Sequence, residues 1–97
     1  MKSVTIFLML TGAAIGADII AFTRAGCGPC EKFKSDYAKN PSMIYPHQIH
    51  FRDMRSELAK SYGITSVPTF IKLRGGKEIG RKIGYGEPEG LKQWADR

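Results

Sequence analysis

Two cysteines lie three residues apart in the stretch "RAGCGPCEKF", with Gly28 and Pro29 between Cys27 and Cys30. Sulfurs at this spacing serve three chemistries: a reversible disulfide couple, half of a metal site, and a passive staple. A staple closing so short a loop stabilises little, because the entropy it removes from the unfolded chain grows with loop length. A redox couple accounts for the spacing better. Residues three apart on a helix share a face, so the two sulfurs can bond without unfolding anything. At a helix start, Cys27 meets unpaired backbone N–H groups and the positive end of the helix dipole, which favour its thiolate. Cys30, one turn further in, is placed to resolve a mixed disulfide formed at Cys27. Pro29 has no N–H to leave unpaired and fixes the turn that presents Cys27.

The metal alternative, a zinc or copper module, draws on His47 and His50, which complete a Cys2His2 set by composition. They follow Cys30 by 16 intervening residues and then form H-x2-H, just outside the usual zinc spacing of roughly 12–15 and then 3–5 residues. Both flank the start of an expected strand, where positions three apart point to opposite faces. Joint ligation of one ion is therefore disfavoured, and the pair is read as two surface histidines.

These side chains need a scaffold. "DIIAFT" is β-branched and apolar and stops at a Gly-containing turn, which predicts a buried strand over 19–23. Pro29 suits a first helical turn, Cys30, Phe33 and Tyr37 recur on one helix face, and Asn40-Pro41 ends that helix. The cysteines thus stand where a strand hands over to a helix. A second strand is expected over 48–52, then a short helix over 56–62 with Leu58, Ala59 and Tyr62 inward, closed by Gly63. Strands over 69–73 and 77–83 join through "RGGK", whose glycines supply the positive φ angles of a tight hairpin. Pro88 opens a last helix with Leu91, Trp94 and Ala95 as its buried stripe. The order β-α-β-α-β-β-α implies an α/β fold, a four-stranded mixed sheet with helices on both faces.

The opening stretch, "MKSVTIFLMLTGAAIGA", reads differently. Lys2 is its only charged residue, residues 4–15 form an uncharged and mostly apolar run, and the small residues Ala14, Gly16 and Ala17 close it. That is the order of a secretory signal peptide. The run is shorter than the roughly 20 residues of a spanning helix, and Gly12 and Gly16 weigh against a helix kept in the final fold. The expected division is a leader at 1–17, cut after Gly16 or Ala17, and one domain at 18–97. Removal places the protein in the periplasm or otherwise outside the cytoplasm, and retention leaves it cytoplasmic. With 42% apolar and 25% charged residues, the 97-residue chain is neither disordered nor fibrous. Its formal charge of +6 is spread along the sequence with no aromatic-studded basic motif, which points to a solvated basic surface and no nucleic-acid partner.

"CGPC" between a strand and a helix, "SVPTF" at 66–70 and "GGKEIGRKIGY" at 75–85 resemble the thioredoxin family in order and distance, over essentially all of 18–97. The resemblance implies the thioredoxin-like fold in a minimal form, without the family's extra N-terminal strand and helix. It also implies a protein-disulfide oxidoreductase whose only redox group is its own Cys27–Cys30 disulfide. Carried over by residue, Cys27 is the nucleophile, Cys30 the resolving thiol, and Gly28 and Pro29 complete the motif. Pro68 is the cis-proline beside the disulfide, and Val67 before it pairs with an extended substrate by strand addition.

Two positions depart from the family. Gly26 stands where thioredoxins usually carry Trp, which removes one wall of the substrate groove. Ala21 stands where a buried acid moves the proton of the resolving thiol. Glu31 is expected to face solvent, while Arg24 and Lys32 are nearby cations, Lys32 a solvated one. Gly-Pro between the cysteines resembles the reducing members more than the strongly oxidising ones. The expectation is an exported, monomeric thiol-disulfide reductase serving cell redox homeostasis. Its partners would be proteins with disulfides or thiols and a separate redox protein that exchanges electrons with it.

Overall fold

The computed structural model describes residues 16–97. The expected leader lies outside the described residues except for Gly16 and Ala17.

After Asp18, every residue of the first strand is buried, as suits a strand with neighbours on both edges and covered faces above and below. This strand, β1 (Asp18–Thr23), pairs in parallel with β2 (Gln48–Asp53) and antiparallel with β3 (Thr69–Arg74). β3 pairs antiparallel with β4 (Lys77–Ile83), so the sheet runs β2-β1-β3-β4. Two parallel strands need a crossover, supplied here by α1 (Gly28–Lys39) and a 3-10 turn (Pro41–Ile44). A short helix, α2 (Glu57–Ser61), precedes β3, and α3 (Pro88–Asp96) follows β4.

Alternation along β1 splits the core in two. Ile19 and Ala21 join Phe33, Met43, Ile44, Phe70, Tyr85, Leu91 and Ala95 on the face covered by α1 and α3. Ile20 and Phe22 join Ala59 and Ile71 on the face covered by α2. Turn chemistry follows the glycines: Gly75 and Gly76 hold φ of 60° and 80° in the β3–β4 hairpin, and Gly63, at 68°, follows α2.

The structure departs from expectation in several places. Helix α2 is shorter than predicted: Ser56 caps it by accepting the Ala59 N–H at 3.2 Å, and Tyr62 is its C-cap. Leu58, expected inward, is 36% exposed, because five residues of helix turn only Ala59 fully to the sheet. The 3-10 turn was not foreseen, although it buries Met43 and Ile44. A cis bond at Tyr45–Pro46 follows that turn.

Lys72 is a further departure. Strand alternation puts it on the same face as Phe70, and it is only 4% exposed. Its ammonium donates to the carbonyls of Trp94, Ala95 and Arg97 at 3.0, 3.3 and 3.3 Å. These carbonyls lie at the negative end of α3, where a cation is stabilised, and the Trp94 carbonyl also accepts the Arg97 N–H at 3.3 Å. The Lys72 ammonium also sits 5.0 Å over the Trp94 ring, and burial lowers its pKa.

Candidate redox site

Cys27 is the N-cap of α1, in extended backbone with φ −96° and ψ 113°, and Pro29 occupies the first turn. Its sulfur accepts the Cys30 N–H at 3.2 Å, and its carbonyl accepts the Glu31 N–H at 2.9 Å. The sulfur therefore takes up one of the N–H groups that a helix start leaves without an intrahelical partner, a bond worth more to a thiolate than to a thiol. Cys27 and Cys30 are joined as a disulfide, with their Cα atoms 5.2 Å apart. Cys30 is completely buried and Cys27 is 6% exposed, so the outer sulfur is the one an incoming group reaches first.

Facing the disulfide is the segment before β3. The Val67–Pro68 bond is cis, and the Val67 carbonyl oxygen lies 3.8 Å from Cys27 Sγ. This segment is held at both ends: Thr69 Oγ1 donates to the Ser66 carbonyl at 2.7 Å, and the Gly84 N–H donates to the Pro68 carbonyl at 2.8 Å. Pro68 is buried under the site. Cys27, Cys30, Val67 and Pro68 thus meet at one end of the sheet.

A family model described as a thioredoxin-like domain matches residues 17–97. The chain belongs to that family. Thioredoxin H2-2 of Oryza sativa subsp. japonica is 31% identical over 74 residues, covering 73% of this chain and 54% of that protein. The chain thus spans about half the length of that relative. Among solved structures, thioredoxin from Trypanosoma brucei brucei superposes with a TM-score of 0.69 at 28% identity, over 96% of this chain and 82% of that one. Mitochondrial thioredoxin 3 from Saccharomyces cerevisiae gives 0.70 at 26% identity, over 95% and 87%.

Against the thioredoxin-like pattern, Gly26 has a backbone reason. Its φ is +77°, a conformation that side-chain-bearing residues rarely adopt, although a Cβ there would meet nothing within 4 Å. A tryptophan at this position would be strained by its own backbone, with no neighbour in its way. Ala21 is fully buried beside its register partners Phe51 and Phe70. Among the described residues no Asp or Glu is buried, so no buried carboxylate stands near Cys30 in place of the missing acid.

The nearby charges sort differently from expectation. Lys32 is not merely solvated: it bonds Asp36 Oδ2 at 2.9 Å and lies 5.4 Å over the Tyr85 ring. The Tyr85 hydroxyl donates to the same oxygen at 2.6 Å. That hydroxyl first, and Lys32 second, hold the Asp36 carboxyl below the usual carboxylate range, while burial and Asp36 push the Tyr85 phenol up. Glu31 is exposed, as expected, 3.8 Å from Lys34. Arg24 is exposed and forms no ion pair among the described residues.

The histidines take no part in this site. His47 is a correction: its side chain is 6% exposed, not a surface group. The Ala17 N–H donates to its Nδ1 at 3.1 Å, so Nε2 carries the ring proton and donates to Asp96 Oδ1 at 2.8 Å. His50 pairs with Asp18 at 3.1 Å. Both therefore serve the entry end of β1, whereas the cysteines follow its exit end. No group of three or more His, Cys, Asp or Glu side chains is placed to hold a metal among the described residues.

The sequence missed Lys72, His47 and the Asp36–Tyr85 bond. Period-2 alternation from Phe70 marks Lys72 as inward, whereas nothing local links Asp36 to Tyr85, 49 residues away.

Proposed function

We propose that the Cys27–Cys30 pair exchanges disulfides with protein substrates, Cys27 attacking and Cys30 resolving. The observation that carries this reading is the position of Cys27: N-cap of α1, its sulfur on the Cys30 N–H, more accessible than Cys30. In the reduced protein the Cys27 thiolate attacks one sulfur of a substrate disulfide. A Cys27–substrate disulfide forms, and the other substrate sulfur leaves and takes a proton. The Cys30 sulfur, once deprotonated, then attacks Cys27 Sγ, closing the Cys27–Cys30 disulfide and releasing the second substrate thiol. Two electrons and two protons pass to the substrate, and a separate dithiol protein returns them.

The cis Val67–Pro68 segment supports a role as the substrate-binding edge, because its backbone lies beside Cys27 and an extended chain pairing there would aim its sulfur at the nucleophile. Gly26 leaves the opposite side of this cleft open. The direction of flow is proposed as reductive, from the Gly-Pro pair, and the protein as an exported monomer. Cleavage after Gly16 suits the packing better than cleavage after Ala17, since Ala17 is 7% exposed and its carbonyl accepts the Gln48 N–H at 3.0 Å.

Trapping tests the roles. With Cys30→Ser, a mixed disulfide with substrate is expected to accumulate, and with Cys27→Ser almost none. Alkylation of the reduced protein is expected at Cys27 first, with an apparent pKa below the free value of about 8.5. Equal adducts on both variants, or adducts on Cys30 alone, would falsify the assignment. Intact-mass measurement of protein exported by a bacterial host tests processing, and a retained Met1 defeats the leader.

A further inference from the structure

Away from the sulfurs, one surface combines charge and apolar shape. A groove of about 340 Å³, between the loop entering Cys27, the first turns of α1 and the end of β2, is lined by residues including Arg24, Lys34, Phe51 and Arg52. A second hollow of about 230 Å³, lined by Lys34, Tyr37, Ala38 and Phe51, shares Lys34 and Phe51 with it. The two form one continuous trough along the edge of the sheet, since β2 is an outer strand. Both hollows lie open to solvent along their length, which suits one side chain of an extended segment more than a small-molecule ligand, whose pockets bury most of its surface.

The floor of the trough is built. Phe51 is 36% exposed, yet its ring is backed by Phe33 at 5.7 Å, and Tyr37 is stacked on Phe33 at 5.8 Å. Phe51 and Tyr37 stand 6.0 Å apart. The fully buried Phe33 thus fixes both rings from beneath, so an apolar group meets a surface that needs no rearrangement.

The charges around it are unbalanced in effect. Two carboxylates, Glu31 and Asp53, also line the first groove. Asp53 is taken up by Arg55, through the backbone N–H at 2.7 Å and Nε at 3.1 Å, and its pKa is lowered by that pairing. Glu31 faces Lys34 at 3.8 Å. Arg24 and Arg52 have no carboxylate partner among the described residues, and Arg52 bonds only its neighbour's carbonyl, that of Phe51, at 2.8 Å. Unpaired guanidiniums beside an exposed aromatic floor complement carboxylates flanking an apolar side chain.

We infer that this α1–β2 trough is a docking surface for an acidic segment of a partner protein, anchored by one aliphatic or aromatic side chain between Tyr37 and Phe51. One end of the trough, at Arg24 and Ala25, is formed by the loop that leads into Cys27. Naming that partner as the protein that exchanges electrons with the disulfide rests on the proposed function. The docking itself does not.

The probe is a synthetic peptide with a central leucine flanked by aspartates and glutamates, alongside a second peptide with lysines in place of the acids. Both are titrated into the ¹⁵N-labelled oxidised protein and into a Cys27→Ser/Cys30→Ser form. Only the acidic peptide is expected to bind, in both forms, with shifts confined to the amides around Lys34, Tyr37, Ala38 and Phe51 and an affinity that falls as salt rises. Arg52→Glu is expected to weaken it at least about fivefold, and Ala38→Glu, on an exposed helix position, to block the trough by bulk and like charge without touching the core. Both variants should reduce a small disulfide at the unmodified rate. Absence of binding at millimolar peptide, equal binding of the lysine peptide, or concentration-dependent self-association through this face in sedimentation overturns the inference. Loss of disulfide reduction with peptide binding intact would instead strike the redox reading alone.

Discussion

The two faces of the sheet are unequally covered. Under α1 and α3, Phe33 has four aromatic rings within 6 Å: Phe70 at 5.0, Tyr85 at 5.2, Phe51 at 5.7 and Tyr37 at 5.8 Å. On the other face the described residues supply one five-residue helix, and Ile79 and Ile83 remain 50% and 64% exposed. The redox site draws on both. Its sulfurs ride on α1, set into the aromatic face, while Val67 packs with the thinner cluster of Ile20, Phe22, Ala59 and Ile71. The sulfur proposed to attack is thus anchored in the deeper core, and the edge proposed to grip the substrate rests on the shallower one. The proposed exchange, which holds one sulfur in place while an incoming chain docks, would gain from that division, since mobile binding elements come from the less stable parts of a fold.

The largest effect should come from the aromatic face. Phe33→Ala is expected to cost about 3–5 kcal/mol, read as a lowered denaturant midpoint of the oxidised protein. A loss below about 1 kcal/mol would mean that the ring cluster collapses without penalty and the two faces are equals. Ala21→Asp comes next. It buries a carboxyl in the same face at a cost of about 1–3 kcal/mol, but it restores a proton acceptor toward Cys30 and should speed resolution of the mixed disulfide in single-turnover measurements. Unchanged resolution would show that the proton leaves by another route.

A smaller effect is expected from Asp36→Asn, which removes the carboxylate shared by Tyr85 and Lys32. Because the folded-state pKa of Asp36 is lowered, its contribution is present above its unfolded value of 3.8 and is lost as pH falls through the folded value. The variant should therefore be less stable at neutral pH and converge with the unmodified protein in acid. A gap that persists undiminished at the lowest pH would remove the charge from the explanation. Smallest of all is Ile79→Thr on the thin face, expected within about 0.5 kcal/mol. A loss above about 1.5 kcal/mol would reveal that something packs over Ile79 and that this face is less bare than the described residues show.

Local chemistry made most of the fold legible. Pro29 before an apolar helical face, the Gly75-Gly76 pair and Pro88 each act on their own backbone, and the elements they bound start and stop within a residue of expectation. The cysteine pair was equally readable, because N-cap and first turn are set within four residues. What escaped depends on distant partners. Leu58 faces outward because α2 is too short to bury it, His47 is covered by residues 30 and 49 positions away, and Lys72 is held by carbonyls of the last helix. Gly26 lay between these cases: its identity was plain, but the positive φ that explains it became visible only in the folded loop.

His47 has one more consequence. A single imidazole accepts the Ala17 N–H on one nitrogen and donates its N–H to Asp96 on the other, so among the described residues the start of the first strand and the end of the last helix lie side by side. Neighbouring ends are what circular permutation and domain insertion require. A gene reopened at the exposed Gly75-Gly76 hairpin and rejoined by a short flexible linker from Arg97 to Ala17 is expected to yield the same sheet, with both cysteines in place. The same adjacency would let the domain be spliced as a compact cassette into a loop of another protein without prying the host apart.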